Sequence, residues 1–112
     1  MHKGNVISIV RSTITPRTDR DAFDHWYSTD HMPKVVERLR PEEGFRFWSV
    51  SDPRIHVAVY RYRDRASIEA RSPDAYKGLI AEFDAAWPGV TRTNEWLEAA
   101  DHVRPEALRA TV

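Results

Sequence analysis

The segment GFRFWSVSDPRIHVAVYRYR, residues 44–63, contains the clearest structural pattern in this chain. Its two ends, GFRFWSVS and IHVAVYRYR, are rich in aromatic and β-branched side chains, which favour β-strands. The short DPR sequence between them contains a proline and is typical of a tight turn. We therefore predict two neighbouring antiparallel strands joined by a hairpin.

Two further elements are predicted on the N-terminal side of this hairpin. Residues 5–12, NVISIVRS, are rich in β-branched side chains and predict a first strand. Asp19 is suited to cap a helix that runs from about Arg20 toward Leu39. Pro33 lies inside this helical pattern and lacks a backbone donor, so we expect a kink there.

The C-terminal side of the hairpin predicts a second helical region and a last strand. The helical region begins at Asp64 and restarts at Ser72, where SPDA places a capping serine before a proline. It ends at the Pro-Gly pair, and TRTNEWLEA, residues 91–99, predicts the last strand. One apolar stripe of this helix, which we interpret as core, consists of Tyr76, Leu79, Ile80, Phe83 and Trp87.

The order strand, helix, strand, strand, helix, strand predicts an α+β fold of the ferredoxin-like βαββαβ type. In this fold a four-stranded antiparallel sheet carries two helices on one face. A chain of 112 residues is long enough for one compact domain and too short for two ordinary cores. We assign residues 1–104 to this single domain and residues 105–112 to a C-terminal tail.

Two helices can cover only one face of such a sheet, yet the third strand is apolar on both sides. One side carries Ile55, Val57 and Val59. The other side, which we call the aromatic face, carries His56, Ala58, Tyr60 and Tyr62. A large apolar face is unstable in water, and a two-fold axis lets such a face bury itself. We therefore predict a homodimer that pairs through the aromatic face.

The composition disfavours several classes of partner and cofactor. Seventeen Lys and Arg residues balance seventeen Asp and Glu residues, so the chain lacks the positive field that attracts nucleic acid or an anionic membrane. It has no cysteine, no glycine-rich phosphate loop and no histidine pair at ligand spacing, so we predict neither a metal site nor a cofactor. No stretch resembles a signal peptide or a membrane span, which favours a cytoplasmic protein.

The segment FDHWYSTDHMP carries the most distinctive side chains. Phe23, Tyr27 and His31 are spaced four residues apart and lie on adjoining parts of one helix face. Together with Trp26 and Pro33, they resemble the signature of EthD-like proteins in the dimeric α/β barrel superfamily. The combined spacing of the phenylalanine, the aromatic pair, the histidine and the proline would rarely arise by chance.

This resemblance covers residues 5–103 and implies a dimeric barrel. Similar barrels include cofactor-free oxygenases, muconolactone isomerase, polyketide cyclases and dehydratases. They share a mainly apolar pocket with a few polar groups that handle protons at an activated ring or carbonyl. Members of this family usually have a Pro-Gly turn before the second strand. In this chain two glutamates separate Pro41 from Gly44 at that point.

His31 is our candidate general base or acid, and Tyr27 is its candidate hydrogen-bonding companion. The helix offers no carboxylate one turn away from His31, so an orienting partner must come from elsewhere. A histidine at the border of an amphipathic helix is as often a structural residue. The candidate substrate-binding residues are Phe23, Trp26, Trp48, His56 and Trp96. Each of these also fits a structural role in the core or at a dimer interface.

These observations lead to one functional hypothesis and one alternative. The hypothesis is a small protein that binds a hydrophobic carbonyl or phenolic molecule in a catabolic or biosynthetic pathway. It would act as a cofactor-free enzyme of the proton-transfer, oxygenase, cyclase or dehydratase type. The alternative is a non-catalytic ligand-binding or structural homodimer, in which the aromatic helix only packs on the sheet.

Overall fold

The computed structural model describes residues 1–106 and confirms the predicted order of elements. Its strands are β1 (Val6–Thr13), β2 (Glu43–Trp48), β3 (Ile55–Tyr62) and β4 (Thr91–Glu98). Neighbouring strands all pair antiparallel in the order β2-β3-β1-β4, which is the predicted ferredoxin-like sheet. Most of the predicted C-terminal tail lies outside the described residues.

The first helical region consists of two α-helices with a π-helical turn between them. Helix α1 (Arg20–Trp26) begins after Asp19, whose side chain accepts a hydrogen bond from the Ala22 amide, as its predicted capping role requires. Helix α2 (Met32–Leu39) ends at Arg40, which has a left-handed backbone conformation.

The π-helical turn spans Tyr27–His31 and lies immediately before the segment in which Pro33 predicts a kink. The Met32 amide donates to the Tyr27 carbonyl, five residues back. In a regular α-helix the Pro33 ring would collide with the Thr29 carbonyl, and the wider turn relieves this contact. Pro33 itself lies in the first turn of α2, where a missing backbone donor costs little.

The π-helical turn also keeps one row of side chains on the buried side of the helix. Buried residues recur at every fourth position, at Phe23, Tyr27, His31, Val35 and Leu39. On a straight α-helix a step of four residues overshoots one full turn by about 40°, so this row would drift around the helix. The turn accommodates one additional residue and thereby holds the row against the sheet.

The second helical region comprises α3 (Arg65–Glu69) and α4 (Pro73–Ala86). The Asp64 and Ser72 side chains accept hydrogen bonds from backbone amides three residues further on, as predicted for both caps. The chain then turns at Gly89, whose φ of +94° favours glycine. Among the described residues, no helix has the length and apolarity needed to cross a membrane.

The helices pack on the aromatic face of the sheet. His56, Ala58, Tyr60 and Tyr62 are at most 3% exposed within a single chain. The prediction that this face forms a dimer interface is therefore wrong. Alternation along a strand separates its two faces, but it does not show which of two apolar faces the helices of the same chain will cover.

The hydrophobic core lies between the aromatic face and the buried sides of α1, α2 and α4. Leu79 and Phe83 of the predicted α4 stripe are buried in it, and Tyr76 and Trp87 pack against its edge. Ile80 is half-buried. The interpretation of this stripe as core is thus correct.

The opposite side of the sheet, which we call the open face, is not covered by any helix of the described chain. Its apolar side chains are Ile7, Ile9, Phe45, Phe47, Ile55, Val57, Val59 and Leu97. Phe45 and Phe47 are 42% and 51% exposed, and their rings stack with centroids 6.4 Å apart. The open face is therefore an apolar surface that a single chain leaves in contact with water.

Candidate functional site

A cavity of about 40 Å³ lies between the helices and the aromatic side of the sheet. A buried water molecule needs roughly 10–15 Å³ of cavity volume, so the cavity has room for a few groups of the size of a water molecule. Its wall combines apolar and aromatic side chains with several polar ones. The principal polar or aromatic residues are Tyr27, His31, Tyr60, Arg92, Asn94 and Trp96.

Both predicted catalytic residues, His31 and Tyr27, lie in the wall of this cavity. Tyr27 is 1% exposed and His31 is 7% exposed. Their ring centroids are 4.9 Å apart, and the rings are nearly perpendicular, at 77°. The His31 ring also stacks on Trp26, with centroids 4.8 Å apart and an angle of 15°. These contacts fix the orientation of the imidazole without using its nitrogen atoms.

The His31 imidazole makes no hydrogen bond to another residue within the described chain. Asp30 and Lys34, its charged neighbours on the helix, form an ion pair with each other at 3.0 Å. Neither His31 nitrogen is among the fully sealed, unpaired polar atoms. The imidazole nitrogens are therefore free to meet a ligand, and the contact with a backbone carbonyl that a structural histidine would make is not observed.

The environment of His31 keeps its ring neutral. Burial lowers the pKa of His31 to about 4, and the positive charge of Arg92 acts in the same direction. The charge of Glu82 opposes this shift without cancelling it. At neutral pH the ring therefore offers one hydrogen-bond donor and one proton acceptor.

Two phenols lie near this imidazole on facing elements. Burial raises the pKa of Tyr27 to about 12, and burial also raises the pKa of Tyr60 on β3. The Tyr60 hydroxyl is buried and has no hydrogen-bond partner in residues 1–106. The Tyr27 phenol is close enough to influence the pKa of Tyr60, but the two hydroxyls are not in hydrogen-bonding geometry. Both phenols stay protonated at neutral pH and can donate to a ligand oxygen.

The wall formed by β1 and β4 carries a short chain of hydrogen bonds. The Ser8 hydroxyl donates to Asn94 Oδ1 at 3.0 Å, and Asn94 Nδ2 donates to the Tyr76 hydroxyl at 2.8 Å. The Tyr76 hydroxyl thus accepts one hydrogen bond and keeps its own hydrogen available. Ser8 and Asn94 do not stand out in the sequence as site residues, and Tyr76 is predicted there only as core. Their signal was the alternation along β4 that places Asn94 on the same face as Trp96.

Two arginines, Arg71 and Arg92, also line the cavity, whereas no aspartate or glutamate does. The Arg71 guanidinium lies 4.4 Å from the ring centroids of both Tyr76 and Trp96. The Arg92 guanidinium lies 5.1 Å from the Phe83 centroid. Neither arginine stands out in the sequence as a site residue, because an arginine near the start of a strand or helix usually points to solvent.

The predicted substrate-binding residues separate into two groups. Trp96 lines the cavity beside Arg71, whereas the other four do not line it. Phe23, which is fully buried, makes an edge-to-face contact with Trp48 and with His56, at centroid distances of 6.0 and 5.4 Å. Trp26 belongs to the same aromatic cluster and reaches the cavity only indirectly, through its stack on His31.

A polar network connects this aromatic cluster to the sheet. Asp24 Oδ1 accepts hydrogen bonds from Arg46 Nη2 at 2.5 Å and from Trp48 Nε1 at 2.7 Å. These hydrogen bonds, from Trp48 and then Arg46, hold the pKa of Asp24 below its ordinary value. Arg46 Nε donates to His56 Nε2 at 3.2 Å. The network attaches α1 to β2 and β3, which positions the start of the π-helical turn, where Tyr27 lies.

The polar groups of the cavity are thus a neutral imidazole, several phenols, a hydroxyl, an amide and two guanidinium groups. In residues 1–106 no group of three or more His, Asp or Glu side chains is arranged to hold a metal ion. The arrangement can accept and return a proton, donate hydrogen bonds to an oxygen and stabilise negative charge.

Comparison with known proteins gives matches in structure alone. No family model matches the chain, and no curated protein matches its sequence. An EthD family protein from Bacillus halodurans C-125 matches with a TM-score of 0.59 and 16% identity, over 80% of this chain and 96% of that chain. The chain has the fold of an EthD family protein.

Two other solved structures share this EthD-type fold. SnoaB from Streptomyces nogalater, described as a cofactor-independent oxygenase, has a TM-score of 0.62 and 13% identity, over 89% of this chain and 97% of that chain. A dimeric ferredoxin-like protein from an uncultured marine organism has a TM-score of 0.58 and 18% identity, over 88% of this chain and 98% of that chain. The predicted resemblance is therefore confirmed at the level of the fold.

Proposed function

We propose that this protein binds a hydrophobic carbonyl or phenolic molecule with its oxygen-bearing end in the cavity and transfers a proton through His31, with Tyr27 as its companion. The proposal rests on one observation: a buried, neutral imidazole lines an aromatic cavity and has no hydrogen-bond partner in the described chain. A histidine that only stabilised the fold would be expected to bind a polar group of the protein.

The proposed chemistry follows from the protonation states of the wall. Neutral His31 accepts a proton from an activated C–H or O–H group of the ligand, and Tyr27 or Tyr60 donates a hydrogen bond to the ligand oxygen. A buried imidazole is a weak base while the cavity is empty. Negative charge developing on the adjacent ligand would raise the pKa of His31 and favour the transfer. Such a reaction needs no cofactor from the protein.

The shared fold supports this reaction class by analogy only. SnoaB is described as a cofactor-independent oxygenase, and a protein that activates its substrate by removing a proton would use groups of the kind found in this cavity. The residues proposed here are argued from their geometry in this chain.

The variant His31→Phe tests the proposal. Phenylalanine preserves a flat ring against Trp26 and removes the proton acceptor, so we expect the free energy of unfolding to change by less than about 1.5 kcal/mol. Binding or turnover of small phenols and aromatic ketones should be lost. Calorimetric titration of the wild type and the variant measures the binding, and thermal melts measure the stability.

Two controls make this test specific. His25→Asn changes an exposed histidine on α1 and should leave ligand binding unchanged. Trp26→Ala removes the partly buried ring on which His31 stacks and should lower the free energy of unfolding, by less than the roughly 3–5 kcal/mol that a fully buried tryptophan contributes. If His31→Phe binds ligands as the wild type does, His31 has no role in the site.

We also propose that the protein forms a homodimer through the open face of the sheet. Phe45 and Phe47 expose apolar area there, and an isologous pairing would cover the same face of both chains. A structural neighbour is described as a dimeric ferredoxin-like protein, which supports such an assembly. The proposed interface thus lies on the side of the sheet opposite to the aromatic face.

A further inference from the structure

Three hydrogen-bond donors in the cavity wall are buried and have no partner in residues 1–106. They are the Tyr60 hydroxyl, Arg71 Nη1 and Arg92 Nε. A buried donor without a partner is destabilising, and native proteins pair nearly all such groups. Three of them around one small space therefore indicate that an acceptor-rich group occupies the space in the functional state.

The charges around the cavity favour an anion. Arg71 and Arg92 both line it, and no carboxylate lines it. Asp84 is 3.5 Å from Arg92 Nη2, but it is exposed and leaves Arg92 Nε unpaired. Glu98, which lies along the groove next to Arg71, is paired with Arg65 at 2.9 Å. Guanidinium groups in such surroundings recognise carboxylates and other oxyanions.

Arg92 lies close to the proposed proton-transfer residue. The Arg92 guanidinium is 5.1 Å from the Phe83 ring centroid, and the His31 ring centroid is 5.6 Å from the same point. Both residues line the cavity, and the charge of Arg92 lowers the pKa of His31, so a ligand group bound by Arg92 would lie within electrostatic reach of the imidazole. The remaining wall is aromatic and apolar, and it continues through Arg71 and Trp96 into a neighbouring groove of about 370 Å³ that has room for a flat conjugated body.

We propose that the ligand is an aromatic or conjugated acid that binds as its anion, with the ionised oxygen held by Arg92 in the cavity and the ring extending past Trp96 into the neighbouring groove of about 370 Å³. This inference rests on the proposed function and specifies its substrate class. A carboxylic acid arrives already ionised. For an enol or phenol, the O–H bond breaks, the proton forms an N–H bond with His31, and the electron pair remains on the oxygen, where Arg92 stabilises it.

Salicylate and salicylamide test the inference, because they share a ring and a hydroxyl and differ in the charge of one substituent. We expect calorimetric titration at neutral pH to show that the wild type binds salicylate about tenfold or more tightly than salicylamide. Arg92→Met should abolish this preference while binding of salicylamide persists. Arg92→Lys, which keeps the charge, should retain a preference for salicylate.

Arg63→Met is the matched control, because Arg63 is exposed on the surface and does not line the cavity. It should keep the full preference for salicylate. If the wild type binds both compounds equally, or if the preference survives in Arg92→Met, the anion inference fails and the proposed function stands. If neither compound binds, both proposals fail. Ligand-induced shifts of the His31 ring signals in NMR spectra would locate the bound compound in the cavity.

Discussion

His31 is buried, held between aromatic rings and free of hydrogen bonds to the rest of the described chain. Its pKa of about 4 makes the imidazole a weak base. A ligand anion beside the ring would reverse part of this shift, because opposite charge favours the imidazolium form. The residue therefore responds to the charge of what enters the cavity more strongly than an exposed histidine would.

The buried histidines predict a loss of stability in mild acid. Burial lowers the pKa of both His31 and His56 to about 4, whereas an unfolded histidine has a pKa of about 6.5. Between these values the unfolded chain binds more protons, so stability is fully present above about pH 6.5 and falls as the pH drops toward 4. The loss should reach about 3 kcal/mol for each histidine.

Urea unfolding as a function of pH measures this effect. His31→Phe removes one of the two titrating groups, so its free energy of unfolding should fall less steeply below pH 6.5 than that of the wild type. His25→Asn, which alters an exposed histidine, should follow the wild-type curve. Identical slopes for His31→Phe and the wild type would show that His31 titrates normally in the folded protein.

The sequence predicts only part of the residues that line the cavity. Tyr27 and His31 stand out because aromatic and imidazole side chains recur every four residues on a helix. Arg71 and Arg92 do not stand out, since a single arginine in a polar stretch usually points to solvent. Their burial depends on the aromatic rings that cover them, and those contacts arise only after α4 packs beside β4.

At the scale of the element, the π-helical turn connects the sequence to the site. The four-residue recurrence of buried side chains from Phe23 to Leu39 is too long a period for a straight α-helix. This period and Pro33 together indicate a wide turn, although the proline alone predicts only a kink. The turn spans Tyr27–His31, so the irregular part of the helix is also the part that carries both candidate catalytic residues. π-Helical turns are frequently found at functional sites.

Deleting Ser28 in a Pro33→Ala background tests whether the turn positions the site. The deletion removes the additional residue, and the alanine allows a regular α-helix, in which the buried row still lies on one face. We expect a folded protein whose melting temperature stays within about 8 °C of the wild type, corresponding to about 1 kcal/mol. Ligand binding should be lost because the deletion moves the His31 ring relative to Tyr27.

The control variants are Pro33→Ala alone and Ser28→Ala, which change the two positions without changing the length of the helix. Both should bind ligand as the wild type does. Circular dichroism and thermal melts would report the fold, and calorimetric titration would report binding. Retained binding in the deletion variant would show that the π-helical turn is dispensable for the site.

At the scale of the whole molecule, the two faces of the sheet have different structural roles. The aromatic face supports the helices and forms one side of the cavity, whereas the open face exposes Phe45 and Phe47. Alternating apolar residues on β3 correctly predict two apolar faces. They do not identify the covered face, because that choice depends on how the helices of the same chain pack, and a strand pattern contains no information about this.

Phe47→Glu tests the proposed homodimer. A charge in the centre of an apolar interface is strongly unfavourable, while the same residue on a solvent-exposed face of a monomer is tolerated. We expect light scattering at micromolar concentration to show a dimer for the wild type and a monomer for the variant. Val50→Glu, which alters a fully exposed residue of the hairpin turn, should remain dimeric. A wild-type monomer would exclude the assembly.

The side chain of Arg71 lies where two spaces of very different size meet. It lines the cavity of about 40 Å³ and also, with Trp96, a neighbouring groove of about 370 Å³. Its guanidinium is 4.4 Å from the ring centroids of both Tyr76 and Trp96, and these contacts hold it at the junction. A ligand that extended from the cavity into the groove would therefore run alongside a fixed positive charge, and replacing Arg71 by a shorter residue would widen the junction while the backbone of the fold stays the same.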